Sequence, residues 1–269
     1  MATPLIFEKR SAGYLKLRDS WLMIRRSTTH IVRNSDQLLG AFFQPVMFIV
    51  LFAAVFGPSI SKALPPGVSY INFLMAGIIV QTVAFGSTVT AISVCNDLKN
   101  GIVDRFRSLP MSNIAVLNGH IVSDLIRNSI STIVMILVGL IIGFRAHTSF
   151  IGWLEIAGIL LLFTFAFSWL MAILGVIAKS IEAVQWLTFV LIFPLTFASS
   201  AFVPTAGMPA GLKFFAENQP ITQVIATVRA LILGTPIGNH AILAIIWSLA
   251  TLIFAIPVAS YLFRHKTTN

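Results

Sequence analysis

The chain has 269 residues, 57% of them hydrophobic and 10% charged, with a formal net charge of +9 and a mean hydropathy of +0.91. Soluble domains carry roughly 25% charged residues, so an ordinary soluble domain is excluded and the bilayer is the expected solvent. The basic excess does not point to nucleic acid, because Lys and Arg lie between apolar runs, where the positive-inside rule expects them.

The N-terminal arm, residues 1–36, holds Lys9, Arg10, Lys16, Arg18, Arg25, Arg26 and Arg33. Tyr14, Leu17, Trp21 and Ile24 recur at helical spacing among them. That pattern predicts a cytoplasmic helix lying in the membrane interface with Trp21 at headgroup depth; a basic nucleic-acid arm is the weaker alternative. The first residues are polar and lack an apolar core, so no cleavable signal peptide is expected. Asn34, Ser35 and Asp36 offer caps for a first span, Gln37 to Gly57, with Pro45 as its expected kink. Pro58, Pro65, Pro66 and Gly67 predict an external turn. A second span covers about Tyr70 to Val94, and Gln81, Thr82, Ser87, Thr88 and Thr90 in its second half are expected to face other helices.

The polar stretch from Asn96 to Asn113 follows. Leu98, Ile102 and Phe106 fall at i, i+4 and i+8, a helical face interleaved with Asp97, Lys99, Asp104, Arg105 and Arg107, and Pro110 stops the helix. Such a helix on the basic side is either a docking surface for a soluble partner or a solvated loop resting on the headgroups.

The third span runs from about His120 to Phe144, with Asp124 and Arg127 near its cytoplasmic start and set to pair. A proton-relay role for Asp124 is the lesser reading. Gly139 and Gly143 make a Gly-x-x-x-Gly that permits close helix approach. A fourth span covers about Trp153 to Ala178, a brief turn holds Lys179, Ser180 and Glu182, and a fifth runs from Gln185 to Ala201 with Pro194 inside it. From Phe202 to Gly234 the chain is broken by Pro204, Gly207, Pro209, Gly211 and Pro220, leaving short helical pieces at about Leu212 to Ala216 and Ile221 to Leu233. Neither reaches the ~20 residues a crossing needs, so two half-helices that dip in from outside and return are expected. The last span is about Ala241 to Phe263, closed by Arg264, His265 and Lys266. Six crossings with both termini inside place fourteen Lys and Arg on the inner side and four outside, the expected bias. The predicted fold is thus an all-α membrane protein: six transmembrane helices, an N-terminal interfacial helix and a re-entrant helical hairpin before the last span. Residues 37–266 form its membrane domain and 267–269 a tail.

Other chemistry is poorly supported. The five histidines are far apart and show no metal-ligand spacing. No Ser, His and acid set shares one depth, and no polar cluster marks a membrane enzyme. Charged groups near the midplane and internal repeats, expected of an ion-coupled carrier, are not evident. There is no Gly-x-x-x-x-Gly-Lys-Ser/Thr phosphate loop. The 22 Phe residues, among them Phe42, Phe43, Phe163, Phe165, Phe167, Phe189, Phe193 and Phe197, would suit an amphiphilic or aromatic cargo, with packing and lipid contact as the plainer reading.

Two stretches carry a family resemblance. One is Asp97 to Pro110, with Gly101, Arg105, the Arg107-Ser-Leu-Pro110 run and Ser112. The other is Phe202-Val-Pro204-Thr-Ala-Gly-Met-Pro209, then Asn218-Gln-Pro220-Ile-Thr222 and Arg229-Ala-Leu. Over about Asp36 to Lys266 the sequence resembles a type-2 ABC transporter permease of the daunorubicin-resistance exporter type. Asp97 stands where the family usually has the Glu of a Glu-x-x-x-Gly. The resemblance implies a coupling helix carrying Asp97, Lys99, Gly101, Ile102, Val103, Asp104, Arg105, Phe106, Arg107 and Pro110. It also implies a re-entrant outer segment marked by Pro204, Pro209, Asn218, Pro220 and Arg229. Two soluble ATPase subunits, with ATP and Mg bound there and no cofactor on this chain, would drive a pair of permeases, identical or related, in the bacterial cytoplasmic membrane. The implied cargo is a hydrophobic drug, antibiotic or lipid moved outward. An ion-coupled secondary transporter and an exporter of polysaccharide or glycolipid remain as alternatives.

Overall fold

The computed structural model describes residues 35–64, 67–100 and 113–266. Among them every regular element is helical: α1 (Ser35–Ile60), α2 (Tyr70–Gly86), α3 (Thr88–Lys99), α4 (Asn113–Ile142), α5 (Phe150–Ile177), α6 (Ile181–Phe197), α7 (Ala210–Asn218), α8 (Pro220–Leu233) and α9 (His240–Lys266). Single 3-10 turns occupy Ser61–Ala63 and Thr205–Gly207. The expected interfacial arm lies outside the described residues, as do Gly101, Ile102, Val103, Asp104, Arg105, Phe106, Arg107 and Pro110 and the tail 267–269.

Four helices among the described residues are long and apolar enough to cross a membrane: Tyr70–Lys99, Val116–Ile142, Phe150–Ile177 and His240–Lys266. Pro45–Ile60, Ile181–Phe197 and Pro220–Leu233 are apolar but shorter. The first of the four is α2 and α3 in succession, interrupted only at Ser87. The helix runs on to Lys99, and Asn100 caps it by donating to the Asn96 carbonyl. The polar stretch after the second span therefore begins as helix, with Asp97 and Lys99 on its last turn. At the other side of that stretch α4 starts at Asn113, seven residues before the expected His120.

α2 and α5 form the buried centre, and α1, α3, α4, α6, α8 and α9 surround them. The outer faces are greasy: Ile133 and Leu137 on α4, Leu154 and Leu161 on α5, and Ile253 and Phe254 on α9 are exposed, as a bilayer allows. Glycines set two close approaches. A side chain on Gly77 of α2 would sit 2.2 Å from the Ala201 carbonyl oxygen, and one on Gly175 of α5 2.4 Å from that of Ala91 on α3. The Gly-x-x-x-Gly of α4 divides its roles. Gly139 packs against Met75, whereas Gly143 has φ 112° and ends the helix, its amide and that of Phe144 both bonding the Gly139 carbonyl.

The helix ends define two sides of the bundle. On one side Lys266 donates to the carbonyls of Val176 and Ala178, pinning the end of α9 to the α5–α6 turn. On the other, the turn after α4 meets α8: the His147 amide bonds the Ile232 carbonyl at 2.8 Å. The start of α8 is tied to the same side. Gln219 donates to the carbonyls of Leu195 and Ala198 at the end of α6, at 2.6 and 3.1 Å. Both ends of α8 are thus bonded to segments at one end of the bundle.

Candidate functional site

Three groups of side chains carry polar chemistry, and they lie at successive levels of the bundle. The first is at the Lys266 side, where α3 ends and α4 begins. Asp97, on the last turn of α3, meets the His120 ring at 2.9 Å, and both are largely buried. This pair joins the helices that precede and follow residues 101–112. Across from it Ser180 caps α6, its oxygen accepting from the Ala183 amide at 3.1 Å. The exposed Glu182 carboxyl is held below the ordinary carboxylate range by its own backbone N–H, then by the Ser180 hydroxyl and by attraction to Lys99. The end of α3 and the start of α6 therefore face one another with opposite charges.

The second group is buried among α2, α3, α4 and α5. Arg127 and Asp124 on α4 pair directly, as their spacing predicts, with 6% and 1% exposure. Asp124 also accepts from the Ser168 hydroxyl of α5, and Arg127 donates to the Gly86 carbonyl at the end of α2. Ser87 lies beside them, its hydroxyl 3.5 Å from that of Ser168. The sequence reading saw no polar cluster inside the spans; Asp124, Arg127, Ser168 and Ser87 form one, buried where four helices meet.

The third group lies at the opposite side and is built on Arg229. This residue was counted on the outer side, within the half-helix expected at Ile221 to Leu233; it lies on α8 and its guanidinium is packed against backbone carbonyls. Its Nε donates to the Phe73 carbonyl at 3.2 Å and its Nη2 to that of Ser200 at 2.6 Å, with the guanidinium 3.6 Å above the Phe73 ring. Tyr70 donates to the Phe202 carbonyl at 3.1 Å. The other marked residues shape this side. Pro204 precedes the turn Thr205–Gly207 and Pro209 precedes α7. Asn218 ends α7 and bonds the Phe214 carbonyl at 2.8 Å, and Pro220 opens α8 at a position that needs no amide. Sequence reasoning missed Gln219 and Gln223; the latter meets His240 at 2.8 Å and fixes the start of α9. Glutamine inside a run of apolar and proline residues was the available signal. Removing Arg127 and Arg229 from the side count leaves thirteen basic residues against three, so the bias does not depend on them.

The aromatics split. Phe163 and Phe167 stack at 5.2 Å within the core. Phe189, Phe193 and Phe197 form a ladder along α6, at 5.0 and 4.3 Å, that continues through Phe202 to Phe52 of α1 at 5.1 and 4.4 Å. Phe189 and Phe193 are 47% and 41% exposed, so this strip is open on one side.

Apolar spanning helices around buried charge, with short broken helices at one end and a polar connection at the other, define a multi-pass helical membrane protein. The model of the ABC-2 type transporter family matches residues 18–233. The chain belongs to that family. The daunorubicin resistance ABC transporter permease protein DrrB1 of Streptomyces coeruleorubidus is 29% identical over 233 residues, 87% of this chain and 81% of the relative. A protein of Mycobacterium tuberculosis named as a probable doxorubicin resistance ABC transporter permease, DrrC, is 24% identical over 261 residues, covering 93% and 90%. Both relatives are named as ABC transporter permease proteins.

Proposed function

We propose that this chain is the membrane subunit of an ATP-driven exporter that moves a hydrophobic or amphiphilic compound outward. A separate ATPase subunit, in two copies, supplies the energy, because the sequence has no phosphate loop of its own. The observation that carries the reading is the family match over most of the chain together with that missing loop. The ATPase docks on the segment from Asp97 to Pro110. Ile102, Val103 and Phe106 enter its groove, and Asp97, Lys99, Asp104, Arg105 and Arg107 set the register by charge. The Asp97–His120 pair at the base of this segment supports the idea that a pull there reaches α3 and α4 together.

Six crossings follow if α1 and α6 are added to the four longer helices. The bonding of both ends of α8 to one side supports a re-entrant path for α7 and α8, outside being the side of Arg229. Lys266 and Lys99 then lie inside, in keeping with the basic bias. The permease pairs with a second, identical or related, subunit in the bacterial cytoplasmic membrane, both termini inside. The open strip of Phe189 and Phe193 suits a planar aromatic cargo, as the names of the drug-resistance relatives suggest.

The test is co-expression with a candidate ABC ATPase subunit and reconstitution in vesicles, with doxorubicin as the probe. ATP-dependent accumulation that needs both subunits is expected. The buried Asp124–Arg127 pair is the one observation favouring an ion-coupled carrier instead. Uptake by the permease alone, driven by an ion gradient without nucleotide, would establish that rival.

A further inference from the structure

Helix α4 carries His120, Asp124, Arg127 and Asn128 at i, i+4, i+7 and i+8, one face of the helix over roughly 12 Å. Together these residues reach three neighbouring helices. His120 meets Asp97 of α3, Asp124 accepts from Ser168 of α5, Arg127 donates to the Gly86 carbonyl of α2, and Asn128 packs on Gly86 itself. The stripe therefore begins at the base of the segment 101–112 and ends at the interruption between α2 and α3.

The bonding at that interruption explains Arg127. In an unbroken helix the Gly86 carbonyl would accept the Thr90 amide. Here the Thr90 amide bonds the Ser87 carbonyl instead, at 3.1 Å, and Arg127 takes the freed carbonyl. A continuous helix would instead bond the Thr90 amide to the Gly86 carbonyl and release Arg127 from it. Spare polar groups surround the switch. The side chains of Thr90, Ser123 and Asn128 are buried and each has a polar atom without a hydrogen-bond partner, although buried polar groups are ordinarily bonded.

We infer that this stripe is the line along which movement of the 101–112 segment reaches the α2–α3 break. His120, Asp124 and Arg127 are positioning residues for energy coupling, and Arg127 is the latch on the break. The inference rests on the reading of 101–112 as the motor-docking segment.

The experiment uses the complete permease–ATPase complex in vesicles, with doxorubicin transport measured per ATP hydrolysed. Three variants are compared with the unaltered complex: His120→Leu, His120→Gln, and the charge-free double variant Asp124→Asn with Arg127→Gln, which leaves no single charge unpaired. Native Cys95, buried on α3 between the two ends of the stripe, reports movement through its reactivity with N-ethylmaleimide. Transport per ATP is expected to fall at least about fivefold in His120→Leu and in the double variant, while ATP hydrolysis and subunit assembly persist. His120→Gln, which can still donate to Asp97, restores most of the ratio. A non-hydrolysable ATP analogue changes Cys95 reactivity in the unaltered complex and not in the uncoupled variants. Variants that assemble, with ratio and Cys95 response both unchanged, would overturn the inference while leaving the transporter reading intact. If the double variant fails to assemble, the two His120 variants decide the matter. An unaltered complex that moves no doxorubicin on ATP would remove the transporter reading and the stripe's role with it.

Discussion

Replacing Gly175 with Ala adds one methyl group to α5 where it crosses α3. The new Cβ would lie 2.4 Å from the Ala91 carbonyl oxygen and 3.0 Å from its carbonyl carbon and Cα. All three atoms are backbone, so no rotamer change relieves the clash, and the helices must part by about 1 Å to restore ordinary contact. That separation loosens a junction lined by Ala91, Cys95, Ala172 and Val176, all of them buried. Overpacking of this kind costs roughly 1–3 kcal/mol, and a chain of this size loses roughly 2–4 °C of Tm per kcal/mol. The same helix supplies the control. A Cβ on Gly158 would meet nothing within 4 Å, so Gly158→Ala removes a flexible residue from a helix interior and is neutral or stabilising by about 0.5–1 kcal/mol. Thermal unfolding in detergent, followed by tryptophan fluorescence and by recovery of monodisperse protein, should separate the two variants in opposite directions. Equal melting temperatures for both would refute the claim that α3 and α5 touch through this glycine.

Arg229→Met should destabilise the end of the bundle that holds α7 and α8, because the carbonyls of Phe73, Ser200 and Ala201 lose their donor. An orphaned buried carbonyl costs on the order of 1–3 kcal/mol, and earlier proteolysis within 199–209 than in the unaltered protein checks it. Asp124→Ala leaves Arg127 charged and unpaired inside the bundle and should cost about 3–5 kcal/mol, whereas Asp124→Leu with Arg127→Met should melt near the unaltered protein; the Tm values of the two variants decide. Phe189→Ala with Phe193→Ala should raise the KM for doxorubicin severalfold at unchanged basal ATP hydrolysis, since the strip they line is exposed. Charge reversal at both Arg105 and Arg107 should separate ATP hydrolysis from transport while the permease remains folded, measured as hydrolysis without accumulation; full transport in that variant would remove the segment from the mechanism.

The apolar runs made the helices legible. Tyr70, Phe150 and His240 open long helices close to where hydropathy rises, and the proline and glycine spacing from Phe202 to Gly234 marked α7 and α8 as short. The interior was harder to read because its bonds join distant residues. Ser168 is 44 positions from Asp124, and Gly86 is 41 from Arg127, separations over which no periodicity operates. Two local signals were nonetheless present. Gly86–Ser87 is a glycine–serine pair inside an apolar span, a known cause of helix breaks. The spacing of His120, Asp124 and Arg127 places three ionisable residues on one face of a membrane helix, which demands a polar neighbour. Arg229 gave no such signal, since nothing local in the half-helix expected at Ile221 to Leu233 shows what its side chain meets until α8 is seen to turn it onto the carbonyls of Ser200 and Phe73.

The distribution of these bonds constrains where the bundle can move. At the Arg229 side, long-range ties fix nearly every element: Tyr70 to Phe202, Arg229 to Phe73 and Ser200, Gln219 to Leu195 and Ala198, Asn72 to the Arg145 amide, and Gln223 to His240. At the opposite side α3 and α4 are held together by Asp97 and His120, while Lys266 ties α9 to α5. On the proposed docking of a motor at 101–112, a pull there would move α3 and α4 as a pair against a clamped far end. The strain must be absorbed between the two, and the α2–α3 run offers one place where a backbone hydrogen bond can be exchanged without being lost, at Gly86 and Thr90. A buried ion pair adds little to stability compared with apolar packing, but it has discrete partners, and discrete partners are what a two-position device requires. On this reading the charge inside the bundle belongs to the mechanism of movement.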